Sequence, residues 1–472
     1  MATLQEEKLV NSYNEEVEKS SEPKKESMNE EEYKKETDTA TKIFGINSTI
    51  SSTKRVILNA IKTGIENLKT QINLDKYVST ITTSKIGMNL YFDTLYEYPE
   101  LFYADLTVSC TYYTNSSGAI TRFSLKVKYL YSAAVIATMK SYLNTKVNEI
   151  KNKYLYNASS LLEKEYIIHD YLLENCTYDT ASNIQIISHT AYGALLNSKA
   201  VCDGYSKAAK LLFNECGIDA GIVTSDSMNH AWNYIKMNGY YYFLDITWDD
   251  PVPETYISRY SYFNRNSNEM VSGNHTWVTG SYPVSTSTVF GFLRSYSKLT
   301  RSNDKLYHID GSNNLYAMTL EGKNKALVKS AFPWNSSLGL VGYTNNLYYV
   351  RSLYYASEKK TYNVIERFNI TTKATQVSFR TLGQIKKMYK KNETIVIQYT
   401  DLQTSTTVKT TTISIKVEGD TNRDGIVDSK DVSNVTAKYN KSAGDSAYIS
   451  EWDFNKDGII DIYDIVKVSS KL

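Results

Sequence analysis

The run Ala200-Val201-Cys202-Asp203-Gly204-Tyr205-Ser206, followed by Ala208, Leu211 and Leu212 at helical spacing, decides how this chain is read. The spacing predicts a helix that opens at Cys202 and stops at Gly217, where a left-handed glycine commonly ends helices. A helix start carries unpaired N–H groups and the positive end of the backbone dipole, and both favour an anion. A thiol placed there ionises more readily, as a nucleophile must. Cys110, Cys176 and Cys216 lack that placement and read as packing residues. A Cys176–Cys216 disulfide would need a proximity that sequence does not give.

Downstream, His230-Ala231-Trp232-Asn233-Tyr234-Ile235-Lys236-Met237 alternates, reverses at Asn238-Gly239 and returns through Tyr240-Tyr241-Tyr242-Phe243-Leu244-Asp245. Asn-Gly between such runs predicts a two-residue hairpin loop. The register then pairs Met237 with Tyr240, Ile235 with Tyr242, Trp232 with Asp245 and His230 with Thr247. His230 and Asp245 become diagonal neighbours on one face. A three-residue loop would put them on opposite faces. A lone histidine is ordinarily structural or solvated, and His169, His189, His275 and His308 are read that way. What sets His230 and Asp245 apart is their order after Cys202, on a helix and the hairpin that follows it.

On these residues the chain resembles the bacterial transglutaminase-like family. The motif is Ala191-Tyr192-Gly193-Ala194-Leu195 leading to Val201-Cys202-Asp203-Gly204-Tyr205, then His230-Ala231-Trp232-Asn233, then Leu244-Asp245-Ile246-Thr247-Trp248-Asp249-Asp250-Pro251. The resemblance implies a papain-like α+β core in which Cys202 attacks an acyl or carboxamide group. His230 would act as base and then acid, with Asp245 orienting the imidazole, and no cofactor is implied for catalysis. One oxyanion donor should be the Cys202 backbone N–H, and Tyr192 is a candidate for the second.

The C-terminus carries a different chemistry. Asp420, Asn422, Asp424, Asp428 and Asp431 occupy positions 1, 3, 5, 9 and 12 of a loop with Gly425 at position 6. Asp453, Asn455, Asp457, Asp461 and Asp464 repeat the pattern around Gly458. Calcium takes oxygen ligands at this spacing, with the position 7 carbonyls of Ile426 and Ile459 added, so two calcium ions are expected. Sequence of β character before the first loop, and Asp rather than Glu at position 12, make the segment similar to a type I dockerin. That resemblance implies a cohesin partner on a scaffold protein. Positions 10 and 11, which help to choose the cohesin in that family, are Ser429-Lys430 in one repeat and Ile462-Tyr463 in the other.

A chain of 472 residues is too long for one ordinary core. Residues 1–40 hold mostly charged and polar side chains and read as a disordered acidic leader. Residues 41–155 read as an N-terminal α+β unit, 156–284 as the catalytic core, 285–417 as a β-rich module and 418–472 as the dockerin. The module should be a small β-sandwich or an incomplete repeat, because Asn-Asn-Leu-Tyr occurs at both 313–316 and 345–348 and the span is too short to close a propeller. A net charge of +2 gives no reason to expect nucleic acid or a membrane surface as partner. No stretch approaches the ~20 apolar residues of a spanning helix. No signal sequence follows Met1, so an extracellular location rests on the domains. The expected function is a secreted protease or amidase tethered to a scaffold. Gln–Lys cross-linking, or a catalytically silent polymer-binding module, is the alternative.

Overall fold

The structure is a computed structural model that describes residues 34–41, 51–250, 260–296, 298–335, 338–422, 425–445 and 447–472. Its first sheet is antiparallel, with strand β1 (Lys34–Thr41) at one edge and β2 (Gln71–Asn73) at the other, flanking β3 (Ala104–Thr114) and β4 (Ile120–Tyr129). The leader expected over residues 1–40 is therefore corrected at its end. All eight residues of β1 pair with β3, from Lys34 opposite Thr114 to Thr41 opposite Thr107. The ladder pairs the backbone groups that face β3 in a segment whose composition is too polar to be held by burial. Residues 1–33 lie outside the described residues.

Helices α1 (Ser52–Glu66), α2 (Ser84–Glu97) and α3 (Ala133–Ile150) cover this sheet, each started by a Ser or Thr side chain that accepts a backbone N–H. A π-helical turn, Lys151–Leu155, extends α3. Helix α4 (Leu161–Asn175) follows, then the short strand β5 (Thr177–Tyr178), helix α5 (Ala191–Leu195), strand β6 (Lys199–Ala200) and helix α6 (Cys202–Glu215). Strands β7 (Asp219–Ser225), β8 (His230–Met237) and β9 (Tyr240–Leu244) form an antiparallel sheet against α6, and helices α7 (Ile246–Asp249) and α8 (Ser267–Ser272) follow. One hydrophobic cluster runs without a break from Ile57 through Phe123, Leu172 and Phe213 to Leu320. The boundary expected at 155/156 thus falls inside a shared core. Helical and strand periodicities mark elements and carry no information about which elements share a core.

The β-rich module is three successive antiparallel meanders. The first contains β10 (Thr300–Ser302), β11 (Lys305–Ile309), β12 (Leu315–Thr319) and β13 (Ala326–Lys329). The second contains β14 (Leu340–Tyr343), β15 (Asn346–Tyr355), β16 (Lys360–Asn369) and β17 (Thr375–Thr381). The third contains β18 (Ile385–Lys391), β19 (Thr394–Tyr399) and β20 (Lys409–Ser414). The two Asn-Asn-Leu-Tyr copies occupy different places, one at the β11–β12 turn and one at the β14–β15 turn.

In the C-terminal segment, α9 (Ser429–Thr436) and α10 (Ile462–Ser469) pack through Val435, Ile449, Trp452, Ile460 and Val468. Each follows one Asp-rich loop. Gly425 and Gly458, both at position 6, have φ of +87° and +90°, which only glycine adopts without strain. Asp420 Oδ2 accepts the Gly425 N–H at 2.7 Å and Asp453 Oδ2 accepts the Gly458 N–H at 2.8 Å. At position 12, Asp431 and Asp464 are fully buried and reach back to the N–H groups of Thr421 and Phe454 at 2.7 and 2.6 Å. The position 1 and position 12 carboxylates thus draw each loop closed through backbone N–H groups. Asp424 lies outside the described residues.

Candidate active site

Helix α6 has no side-chain cap, since its N-cap residue is Val201, so the N–H groups at its start point outward beside Cys202. Val201 is pinned by its N–H to the Ser188 carbonyl at 2.9 Å, and Asn233 on β8 ties the helix to the sheet by donating to the carbonyls of Ser206 and Gly221 at 2.9 and 3.2 Å. The hairpin takes the two-residue register, Met237 opposite Tyr240 and Ile235 opposite Tyr242, with Asn238 and Gly239 at φ of +51° and +84°. The ladder stops at Leu244, because Asp245 leaves the strand to cap α7 at the Trp248 N–H. The expected pairing of Trp232 with Asp245 and His230 with Thr247 therefore does not continue as strand.

His230 and Asp245 still meet. His230 Nε2 lies 2.6 Å from Asp245 Oδ2, and the ring also hydrogen-bonds the Cys202 side chain. Burial alone would push the imidazole pKa down; the Asp245 carboxylate, its hydrogen bond and the sulfur outweigh that and raise it to about 10. Asp245 is buried and its pKa is held far down despite the burial, by His230 and then by His275. The structure thus brings Cys202, His230 and Asp245 together at the junction of α6, β8 and α7.

Residues 148–246 match the family model described as transglutaminase-like superfamily, and residues 418–472 match the type I dockerin domain. The chain carries a transglutaminase-like domain and a type I dockerin domain. A solved structure described as "Crystal structure of a TGase" is 18% identical over 27% of this chain and 41% of that one, with a TM-score of 0.20. No curated protein matches the chain. Among the described residues no helix is long and apolar enough to cross a membrane.

Two residues at the Cys202–His230–Asp245 cluster carry no signal in the sequence, one inside the matched stretch and one beyond its end. Tyr178 is carried by β5, which pairs in parallel with β6 immediately before Cys202. Its phenol hydrogen-bonds the Cys202 thiol and backbone N–H, and burial, followed by the sulfur, pushes its pKa up. Tyr192, the candidate second oxyanion donor, instead stacks on Phe102 with centroids 4.8 Å apart, inside the core. The second residue is His275, read in sequence as structural, whose Nε2 lies 2.8 Å from the same Asp245 oxygen. The other three histidines are placed apart from the triad. His169 is paired with Asp249 at 3.1 Å, His189 with Asp203 at 2.8 Å, and His308 stacks on Tyr316. Cys110, Cys176 and Cys216 are free thiols, and burial pushes those of Cys176 and Cys216 up, the former to about 12.

Gly204 sets how closely α6 approaches the preceding loop. A Cβ there would lie 2.4 Å from the Ser188 carbonyl oxygen and 2.8 Å from the Ala200 Cβ. Backbone cannot yield as a flexible side chain can, so Gly204→Ala should destabilise the fold by about 2 kcal/mol and displace Cys202. Chemical denaturation, with the alkylation rate of Cys202 as a second readout, checks this. Unchanged stability and reactivity would contradict the tight approach.

Proposed function

We propose that the chain is a secreted, cysteine-dependent acyl-transfer enzyme that hydrolyses peptide or amide bonds. Its dockerin would deliver it to a cohesin on a scaffold protein outside the cell. The observation that carries the reading is His230, bonded to Asp245 at 2.6 Å while its ring also engages Cys202 at an uncapped helix start. In that arrangement His230 takes the thiol proton, the sulfur attacks the carbonyl carbon, and His230 returns the proton to the departing amine. Asp245 fixes the tautomer. The Cys202 N–H, which here donates to the Tyr178 oxygen, and the Tyr178 hydroxyl, which bonds the sulfur, lie beside the nucleophile, and both would turn to donate to the oxyanion once substrate is bound. Water then releases the thioester as an acid; an amine in its place gives the cross-linked amide of the alternative reading.

The dockerin would hold two calcium ions. The ligands are Asp420, Asn422, Asp424, Asp428, Asp431 and the Ile426 carbonyl in one loop, and Asp453, Asn455, Asp457, Asp461, Asp464 and the Ile459 carbonyl in the other. Calcium there supplies folding energy rather than chemistry. Ile462 and Tyr463 on α10 are exposed, as a cohesin-facing pair would be.

Amide-type electrophilic probes with mass spectrometry test the enzymatic reading. Cys202 should label in the wild type and lose that reactivity in His230→Ala. Release of the acyl group to water, undiminished when a primary amine is added, would place the enzyme among hydrolases; capture by the amine would place it among cross-linking transferases. An unreactive Cys202, together with polymer binding unaffected by Cys202→Ala, would favour the silent binding module.

A further inference from the structure

Asp245 is a crowded carboxylate. Oδ2 faces His230 Nε2 at 2.6 Å and His275 Nε2 at 2.8 Å, while Oδ1 accepts from Thr247 Oγ1 at 2.6 Å and from the Trp248 N–H at 3.2 Å. A catalytic carboxylate that only orients one imidazole needs no second one. His275 nevertheless reaches it from a segment 30 residues downstream. The ring is fully buried against Trp248 at 4.3 Å, Trp232 at 4.8 Å and Tyr262 at 5.2 Å between centroids. Its other nitrogen, Nδ1, faces the Gly273 carbonyl at 3.2 Å. Both ring nitrogens therefore point at acceptors, so the ring serves both only by carrying an N–H on each side.

His230, Asp245 and His275 also form a cluster whose ligand atoms lie within 4.8 Å of one another, as metal ligands can. The nitrogen-to-oxygen spacings of 2.6 and 2.8 Å are those of direct charge-assisted hydrogen bonds. Two ligands on opposite sides of a tetrahedral ion, each ~2 Å from it, would stand about 3.3 Å apart. The geometry favours protons over a metal.

We propose that His275 is a positioning residue for the triad, which holds Asp245 in place and shares its negative charge, so that His230 releases its proton more readily than it would opposite an unshared carboxylate. The inference rests on the Cys202–His230–Asp245 reading above. Two hydrogen bonds on one oxygen compete for the same electron density, so each is weaker than it would be alone. Removing the His275 donor, with or without its positive charge, leaves more of the Asp245 charge to His230. The imidazolium of His230 then holds its proton to higher pH. The charged and titratable groups around this pair are Asp245 and Asp249 from α7 and its cap, His230 from β8, Cys202 from α6, Tyr178 from β5, and Tyr262 with Arg265 stacked over it. None of them replaces His275 as a donor to Oδ2.

The test is proton and nitrogen NMR of the full chain labelled at histidine, with resonances assigned by single substitutions. The wild type should show two low-field imidazole N–H protons bonded to Asp245. In His275→Phe, only the His230 proton should remain, shifted further downfield, and the His230 titration should rise by about one pH unit. His275→Gln, which keeps an amide N–H donor, should restore less than the full change. Melting temperatures of each variant separate a folding defect from the electrostatic one, and the wild-type spectrum stands even where His275→Phe fails to fold. A single low-field proton in the wild type, or an unmoved His230 titration in a folded His275→Phe, would overturn the inference. Iodoacetamide labelling addresses the underlying functional reading separately: Cys202 should react faster than Cys216, and slow in His230→Ala. Equal rates at the two cysteines would overturn the functional reading even where the histidine pair behaved as described.

Discussion

Cys202→Ala should lower the rate of acyl transfer by about ten-thousand-fold or more while leaving the melting temperature close to that of the wild type. The thiol is buried and small, so its replacement by a methyl group removes the nucleophile with little change in packing. His230→Ala should lose a similar factor, and the double variant should lose little more, because residues that act as one unit are not additive. Cys216→Ala is the control: that thiol sits at the C-terminal end of α6, and burial pushes its pKa up rather than down. The two single variants should also differ in their response to alkali. His230 keeps its proton in the folded chain to about 10, against 6.5 for an ordinary imidazole, so its protonation stabilises the fold fully below about pH 6.5 and loses that contribution as pH rises through about 10. The stability gap between wild type and His230→Ala should therefore narrow across that window. Steady-state rates with thermal melts at several pH values check both statements. Equal loss of activity in Cys202→Ala and Cys216→Ala, at unchanged folding, would exclude the assigned nucleophile.

What could be read from the sequence divides along a physical line. The helix start at Cys202 and the hairpin register through Asn238-Gly239 are set by residues adjacent in the chain, namely periodic apolar positions and a turn that needs positive φ twice. Those two local facts are enough to bring His230 and Asp245 to one place, although the strand ends at Leu244, three residues short of the Thr247 to which the register extends the pairing. Tyr178 and His275 were out of reach for the opposite reason. Tyr178 comes to Cys202 through a two-residue parallel bridge, too short to leave a pattern, and His275 arrives through a loop that folds back over β8 with no periodicity of its own. A tyrosine shortly before the cysteine helix and a histidine shortly after the Trp-Asp-Asp motif are the only traces, and neither spacing is fixed by backbone geometry. The same limit applies to the strand Lys34–Thr41. Its composition is that of a solvated segment, and only the partner edge of β3 turns it into sheet. The continuous core from Ile57 to Leu320 is likewise a property of packing between elements, which one-dimensional patterns do not contain.

Removal of calcium should unfold the dockerin and leave the transglutaminase-like domain standing. The dockerin's own core is Val435, Ile449, Trp452, Ile460 and Val468, with part-buried neighbours such as Val427 and Phe454. A segment of this size buries too little apolar surface to offset the entropy of ordering it. Its loops add a further difficulty, because each draws several carboxylates into one turn, and Asp431 and Asp464 are fully buried where they close it. Without a cation those charges repel one another and lack most of the compensation they need; with calcium the repulsion becomes ligation, and binding energy becomes folding energy. The contact with the body of the protein includes Tyr156 against Trp452 at 6.4 Å and the Lys153–Glu451 ion pair. It also brings Gly425 against the Thr344-Asn345 turn. Calorimetry of the full chain should accordingly show one transition that chelator abolishes and another that it leaves in place, with loss of cohesin binding of about a hundredfold or more. Limited proteolysis should place the new cleavages after residue 418. Asp431→Ala and Asp464→Ala should each give part of the effect by disabling one loop. If chelator left the proteolytic resistance and the helical signal of α9 and α10 unchanged, the closed geometry of the two loops would have to be held by their hydrogen bonds alone, and calcium would have no structural part to play.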